Sequence, residues 1–426
     1  MHDIKYFRDN PDDTKARLAR KKIDASEVDR ILALDSRRRE LIQETDTLKA
    51  RRNQLSKDIP ALMKSGKKDE AEAIKAESRD VGERMKALDE ELRGVDAEQN
   101  DLLLRLPNFP HESAPTGGEL ENAEVRTWGE KRAFDFEPKP HWELGQSLGI
   151  LDLDRGTKIS GSGFFVLKGD GARLERKLIN WMLDTHTTQN GYTEVHVPHL
   201  VTRQSLTGTG QLPKMEDDMY KMEGEDAFLI PTAEVPVTNL YAGEILEMEQ
   251  LPIKHVAHTP CYRREAGSYG KENRGISRVH QFDKVEMVQF VAPETSYDVL
   301  ERLTANATGL LEALGLPYRV LNLASGDMSF AAAKCYDIEV WAPGMGIWLE
   351  VSSCSNFEDF QARRAGIRFR REQKAKPEFV HTLNGSGLAL PRLVIALLEN
   401  GQQADGSVLL PPALHRVFGS DRIAAE

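Results

Sequence analysis

The sequence predicts an α+β protein in two parts: an N-terminal antiparallel helical hairpin, or coiled-coil arm, and a larger domain of antiparallel strands and helices. Three observations carry this expectation. Residues 28 to 106 place apolar side chains at alternating three- and four-residue spacing within dense mixed charge, the pattern of a coiled coil. Residues 106 to 118, LPNFPHESAPTGG, break that pattern with three prolines and a glycine pair. Beyond them, helical periodicities alternate with β-rich segments. Neither a strict strand-helix alternation nor the Gly-rich turn of a dinucleotide-binding or P-loop sheet is present.

The arm divides at its own turn. Ile31, Leu34, Leu41, Leu48, Leu55 and Ile59 fall on one seam, with Arg38, Thr45 and Arg52 at the intervening positions. Ile74, Val81, Met85, Leu88, Leu92, Val95, Leu102 and Leu106 form a second. The break between them, Lys64-Ser65-Gly66-Lys67-Lys68, is so short that the helices fold back as antiparallel neighbours. Each helix of about thirty-odd residues would reach roughly 50 Å at 1.5 Å per residue. Pairing within the chain satisfies the seam, although an oligomerisation coil would show the same pattern. The outer faces, with Arg37, Arg38, Arg39, Arg51, Arg52 and the tip lysines, are then left to solvent or a partner.

Composition excludes several classes. At 426 residues the chain is too long for one compact core. Five Trp, fifteen Phe and regular apolar spacing argue against disorder, and no apolar run approaches the roughly eighteen residues of a membrane span. The opening MHDIKYFRDNPDD lacks the basic flank and apolar core of a secretory signal, so a cytoplasmic location is expected. Cys261, Cys335 and Cys354 are odd in number, far apart and without CxxC spacing, and read as buried thiols. A formal charge of −11 argues against indiscriminate coating of nucleic acid but leaves room for a local basic surface.

The second part is expected as a domain over residues 118–426, after an N-terminal domain over 1–110. Four polar clusters stand there inside otherwise strand-like sequence, where burial is costly without partners. TPCYRREAGSYGKENRGISRVHQFDKVEMV, residues 259 to 288, reads as two strands joined by a long basic loop. Arg263 and Glu265, two apart, are expected on one face of the first strand, with Phe282 and Asp283 approaching on the return. A guanidinium there suits a phosphate or carboxylate, while a cross-strand salt bridge is the commoner explanation of the pair taken alone. GIWLEVSSCSN, residues 346 to 356, puts Glu350, Ser352 and Ser353 at the end of an apolar strand, a hard-oxygen set suited to Mg²⁺ on nucleotide phosphates. NGSGLALPRLVIALLEN, residues 384 to 400, couples a Gly-Ser-Gly turn to an apolar helix with Arg392 near its start, where a cation and free N–H groups would meet an anion. LIPTAEVPVTN, residues 229 to 239, holds Thr232 and Glu234 in an extended, Pro-flanked segment. Taken singly, these are a strand terminus, a solvated helix residue and a loop hydrogen-bond pair. His258, His280 and His381 read as structural.

Together, and in this order, the segments resemble a class II aminoacyl-tRNA synthetase, and within that class the bacterial-type seryl-tRNA synthetases. The resemblance spans nearly the whole chain. It adds GYTEVHVPHL around Pro198, similar to the dimer-forming first class motif, and SLTGTGQLPK at 205 to 214. It implies an antiparallel sheet flanked by helices, a homodimer, ATP as substrate, Mg²⁺ as cofactor, and L-serine and tRNA(Ser) as partners, with tRNA(Sec) as a further acceptor. The arm would grip the long variable arm of the tRNA.

Roles follow from the same resemblance. Arg263 and Arg392 would be catalytic. ATP would meet Arg263, Arg264, Glu265, Arg278, Val279, Phe282, Glu350, Val351, Ser352, Ser353 and Arg392, with Phe282 stacking on adenine and Glu265 reading its amino group. Glu350 and Ser353 would hold the cation. Thr232, Ala233, Glu234, Glu286, Asn384 and Ser386 would form the serine pocket. Arg264, Lys271-Glu272-Asn273 and Pro391 depart from the family pattern at positions that bear on loop conformation and the tRNA end. Two other readings compete: a catalytically inactive RNA-binding paralogue, which predicts loss of the phosphate-handling residues, and a serine-activating ligase with a carrier-protein acceptor, whose relatives lack the hairpin.

Overall fold

The heptad pattern becomes two long helices in a computed structural model, which describes residues 1–265 and 274–424. They belong to the first of two compact units, Met1–Pro107. Helix Ala25–Lys64 begins at Asp24, whose side chain accepts from the Ser26 N–H, and helix Lys68–Arg105 returns beside it. At 40 and 38 residues they reach about 60 Å, longer than the sequence suggests. The extra turns lie at the helix ends, outside the seams over 31–59 and 74–106, while within the seams Asp35, Thr45 and Gln99 are buried alongside Ile31, Leu41, Leu55, Val81 and Met85. Two short helices, Ile4–Asp9 and Pro11–Ala19, pack at the base, where Arg8 pairs with Asp35 at 3.1 Å.

The arginines expected on the free outer faces are largely engaged. Arg37 pairs with Glu91 at 2.7 Å, Arg38 with Asp96 at 2.6 Å and Arg51 with Glu77 at 2.6 Å, each across to the facing helix. Exposed pairs of this kind contribute roughly 0–1 kcal/mol apiece, yet they fix which residues sit opposite one another. Among the described residues, Arg39 and Arg52 have no ion-pair partner.

The second unit, Asn108–Glu426, is built on an eight-stranded sheet. Its strands lie in the order Ala123–Trp128, Tyr318–Asn322, Lys334–Ala342, Ile347–Asn356, His381–Ala389, Gln281–Val291, Ile253–Tyr262 and Thr193–Glu194. Every adjacent pair is antiparallel except the last. Helices Asp170–Thr188, Ser296–Ala313 and Leu390–Gly401 press Leu174, Leu178, Leu303, Leu310, Leu393 and Leu397 into one core with Val285, Met287, Ile338 and Val351 of the sheet. Alternation along Gln281–Val291 sends Val285 and Met287 into that core, leaving Lys284 and Glu286 on the opposite face.

The proline-rich connection is less loose than its composition suggests. Asn108 donates to the carbonyls of Ala331 at 2.9 Å and Phe357 at 2.8 Å, and Ala114 is buried beside Leu323 and Phe360. All three cysteines are buried and free. Among the described residues, no helix is long and apolar enough to cross a membrane.

Candidate active site

The polar face of the sheet floors a cavity of about 530 Å³. At one end, Glu286 is fully buried and sits opposite Ser386 of the neighbouring strand. Thr232 donates to Glu286 Oε2 at 3.3 Å, and Asn384 donates to Oε1 at 3.1 Å. Lys284, two residues along the same strand, forms an ion pair with Glu286 and donates to the Thr232 hydroxyl at 2.9 Å. Glu234 is buried nearby and accepts from Gln361 Nε2 at 2.6 Å. Desolvation, and then the neighbouring charge of Glu286, push the Glu234 carboxyl up to about 7. This end therefore concentrates hydrogen-bonding groups and excess negative charge, which suits a small, cationic, hydroxyl-bearing molecule.

The segment holding Thr232 and Glu234 is not extended as expected. Residues Glu234–Thr238 form a short helix, with Ala233 buried at its N-cap position. Pro236 falls within its first turn, where a missing N–H costs nothing. The hairpin expectation also changes. The first strand ends at Tyr262, and Glu265 has φ of +49°, so strand alternation does not set the directions of Arg263 and Glu265. Both still line the cavity: Arg263 Nε donates to the Pro231 carbonyl at 3.2 Å with its guanidinium 5.2 Å from the Phe282 ring centre, and Glu265 pairs with Arg278 at 2.7 Å. Asp283 turns away to His258 at 2.6 Å. His280 contacts the Arg263 carbonyl at 3.0 Å and His381 contacts Ser296 at 2.8 Å.

Glu350 is not at a strand end. Strand Ile347–Asn356 continues six residues past it, and a bulge makes the cluster work. Ser352 pairs with Ile338 while Glu350 pairs with the next residue, Glu339, so Val351 is the extra residue. Residues three apart in a regular strand face opposite sides; the bulge lets Glu350 and Ser353 both line the cavity. Arg392 donates to the Glu350 carbonyl at 2.7 Å, to its carboxylate at 3.4 Å and to the Ser277 carbonyl at 3.1 Å. Ser352 is tied to the Ser386 carbonyl at 2.6 Å, linking both ends of the floor.

Nor is the Gly-Ser-Gly run a turn. It lies inside strand His381–Ala389, which passes directly into helix Leu390–Gly401 with Pro391 in the first turn. The glycines are needed for close approach: a Cβ on Gly385 would meet Leu303 at 2.4 Å and Cys354 Sγ at 2.8 Å.

Among the described residues, no group of three or more His, Cys, Asp or Glu is arranged to hold a metal. Glu350 and Ser353 nevertheless supply hard oxygens on the cavity wall, with Asp337 opposite Ser353 in the ladder but not on that wall. Burial, and then the charge of Glu350, raise the Asp337 carboxyl well above the usual carboxylate range. The donors fit a cation that takes the rest of its shell from phosphate oxygens.

The cavity thus brings together Thr232, Glu234, Glu286, Asn384 and Ser386 with Arg263, Glu265, Arg278, Val279, Phe282, Glu350, Val351, Ser352, Ser353 and Arg392. Ala233 and Arg264 are not on its wall; the Arg264 N–H donates to the Asp218 carbonyl at 3.0 Å and its side chain is exposed. Lys271-Glu272-Asn273 lie outside the described residues. Sequence reasoning passed over Lys284 and Gln361. For Lys284 the signal was available, a second charge two residues from Glu286 in an apolar strand; nothing in QARRAG distinguishes Gln361.

Comparison with known proteins matches this geometry. Residues 1–110 match the family profile for the seryl-tRNA synthetase N-terminal domain, and 215–401 match the class II tRNA synthetase core domain (G, H, P, S and T). The serine–tRNA ligase of Geobacter sulfurreducens is 55% identical over 98% of this chain and 99% of its own length. That of Geobacillus kaustophilus is 56% identical over 99% of each. The crystal structure of seryl-tRNA synthetase from Pyrococcus horikoshii complexed with ATP superposes with a TM-score of 0.95 at 38% identity, covering the whole of both chains. With both profiles matched in order and relatives more than half identical along almost its full length, the chain belongs to the seryl-tRNA synthetases, the class II ligases that join serine to tRNA.

Proposed function

We propose that the cavity binds ATP beside L-serine, forms seryl-adenylate there, and passes the seryl group to the 3′ end of tRNA(Ser), with tRNA(Sec) as a further acceptor. The observation that carries this reading is the single cavity joining Glu286 and Ser386 to Arg263, Glu350 and Arg392. ATP enters by analogy with the Pyrococcus horikoshii enzyme, whose structure is of an ATP complex.

In the first step a serine carboxylate oxygen attacks the α-phosphorus and the bond to pyrophosphate breaks. Two anions must meet, so the work is positioning and charge stabilisation rather than nucleophilic catalysis by the protein. Arg263 would bridge the carboxylate and the α-phosphate, with Phe282 under the adenine and Glu265 on its amino group. Arg278 and Arg392 would hold the outer phosphates. Glu350 and Ser353 would hold Mg²⁺, which when bound neutralises phosphate charge. In the second step a ribose hydroxyl attacks the acyl carbon and AMP leaves.

Serine differs from alanine by one hydroxyl. Glu286 and Ser386 would accept and donate to that group, and leaving them unpaired can cost a competitor about 10⁴-fold. Glu234 would hold the α-ammonium with Thr232. Residues 118–426 would carry this chemistry and residues 1–110 would hold the tRNA. A homodimer formed around GYTEVHVPHL and a cytoplasmic location complete the reading.

The test is serine-dependent ATP–pyrophosphate exchange by the full chain. Exchange is expected with serine and not with alanine or glycine, and Glu286→Ala is expected to abolish it while circular dichroism stays unchanged. Undiminished exchange in a folded Glu286→Ala enzyme would refute the pocket assignment.

A further inference from the structure

The cavity does not stop at the residues given to serine and ATP. Past Glu234 it continues along Thr209, Gly210 and Gln211 to Phe330. Gln361 bridges the two parts, donating to Glu234 at 2.6 Å and to the Thr209 carbonyl at 3.1 Å. Gly210, in the left-handed region with φ of +94°, passes so close to the far wall that a Cβ would lie 3.2 Å from Ala331 and 3.7 Å from Phe330. The Phe330 ring therefore lies beside Gly210, in the part of the cavity that Gln361 joins to Glu234.

One side of the ring packs edge-to-face against buried Phe360, with centroids 5.9 Å apart; the rest has polar neighbours. Phe330 is half-buried on the cavity wall, beside exposed Ser329. The Lys214 ammonium lies 5.6 Å and the Arg364 guanidinium 5.5 Å from its centre. Arg364 is anchored by donating to the carbonyls of Thr207 at 3.2 Å and Leu212 at 3.3 Å. Lys214 is exposed and has no carboxylate partner among the described residues. A half-exposed ring flanked by two cations, one anchored and one available, matches what binds a nucleotide: a base stacks on the ring and a phosphate meets the ammonium.

We propose that Phe330, Lys214 and Arg364 form a subsite for the 3′-terminal nucleotide of the RNA acceptor, with its base against Phe330 and its phosphate near Lys214. This rests on the reading of the cavity given above. The subsite is continuous with the serine pocket, so a nucleotide seated there brings its ribose hydroxyls toward the activated acyl group while the phosphate end stays free for pyrophosphate to leave.

The experiment uses the full-length enzyme with ATP, serine and tRNA(Ser) transcript. Exchange is measured alongside single-turnover transfer from preformed enzyme-bound seryl-adenylate, for Phe330→Ala, Phe330→Tyr and Lys214→Ala. Phe330→Ala is expected to slow transfer by about ten- to a hundredfold more than it slows exchange. Phe330→Tyr, which keeps a stacking face, is expected to recover transfer to within about threefold, and Lys214→Ala to weaken transcript binding by about three- to tenfold. Deleting the terminal nucleotide should cost less affinity in Phe330→Ala than in the unaltered enzyme. Transfer unchanged in Phe330→Ala, or falling by the same factor as exchange, overturns the subsite. An unaltered enzyme without serine-dependent exchange overturns the reading of the cavity beneath it.

Discussion

Glu234 and Glu286 lie together in a buried pocket, and Lys284 pairs with Glu286 rather than with both. Desolvation, and then the charge of Glu286, let Glu234 keep a proton far above its ordinary 4.5, up to about 7. The sign of the linkage follows. Below about pH 4.5 the folded and unfolded chains both carry this proton; between there and pH 7 only the folded chain does, so stability falls as pH rises through that window and levels off above it. Serine acts in the opposite sense, because its ammonium favours the ionised carboxylate. The KM for serine in exchange is expected to fall as pH rises from about 6 to 8, and Glu234→Gln to flatten both this trend and the stability slope seen in thermal melts. A pH-independent serine KM in the unaltered enzyme would remove Glu234 from ammonium binding. At this scale the sequence was most legible where charge interrupts apolar runs, as at Glu286, Glu350 and Arg392. It was silent on Gln361, whose importance comes only from the two chain segments it bridges.

Strands and helices were legible by periodicity, and the failures were local. The Gly-Ser-Gly run reads as a turn because glycine usually marks chain reversal, whereas here it makes room for Cys354 and Leu303 within a strand. Gly385→Ala is expected to destabilise the fold by about 1–3 kcal/mol in chemical denaturation, the usual cost of overpacking. Because Asn384 and Ser386 flank it, the serine KM should rise in the same variant; a normal KM with lowered stability would confine its role to packing. The bulge at Val351 was invisible for a different reason: strand alternation predicts that Glu350 and Ser353 diverge, and only the partner strand's register reveals that they do not. Similarly, the departure of Arg263 and Glu265 from strand geometry is set by backbone torsions after Tyr262 that residue type alone does not specify.

On the scale of the whole chain, the division into Met1–Pro107 and Asn108–Glu426 sets where the parts can be separated. A chain starting at Asn108 keeps the bonds from its side chain to Ala331 and Phe357, which a start near Thr116 would lose. The Asn108 version is expected to retain serine-dependent exchange while aminoacylation of tRNA collapses. Equal loss of both in a folded fragment would refute this separation of tasks. The coiled-coil pattern made the arm the most legible element of all, yet its charge balance was not, since pairing across two helices depends on which residues come opposite.

That balance bears on how the arm meets RNA. With Arg37, Arg38 and Arg51 paired from within, those three displace few condensed counterions, so the log–log plot of tRNA affinity against salt is expected to be shallower than the arm's full complement of Lys and Arg would give. A steep slope would show that those pairs open on binding. Discrimination among tRNAs would then rest on contour more than on charge, a mode of selection that persists at ionic strengths where polybasic binders let go.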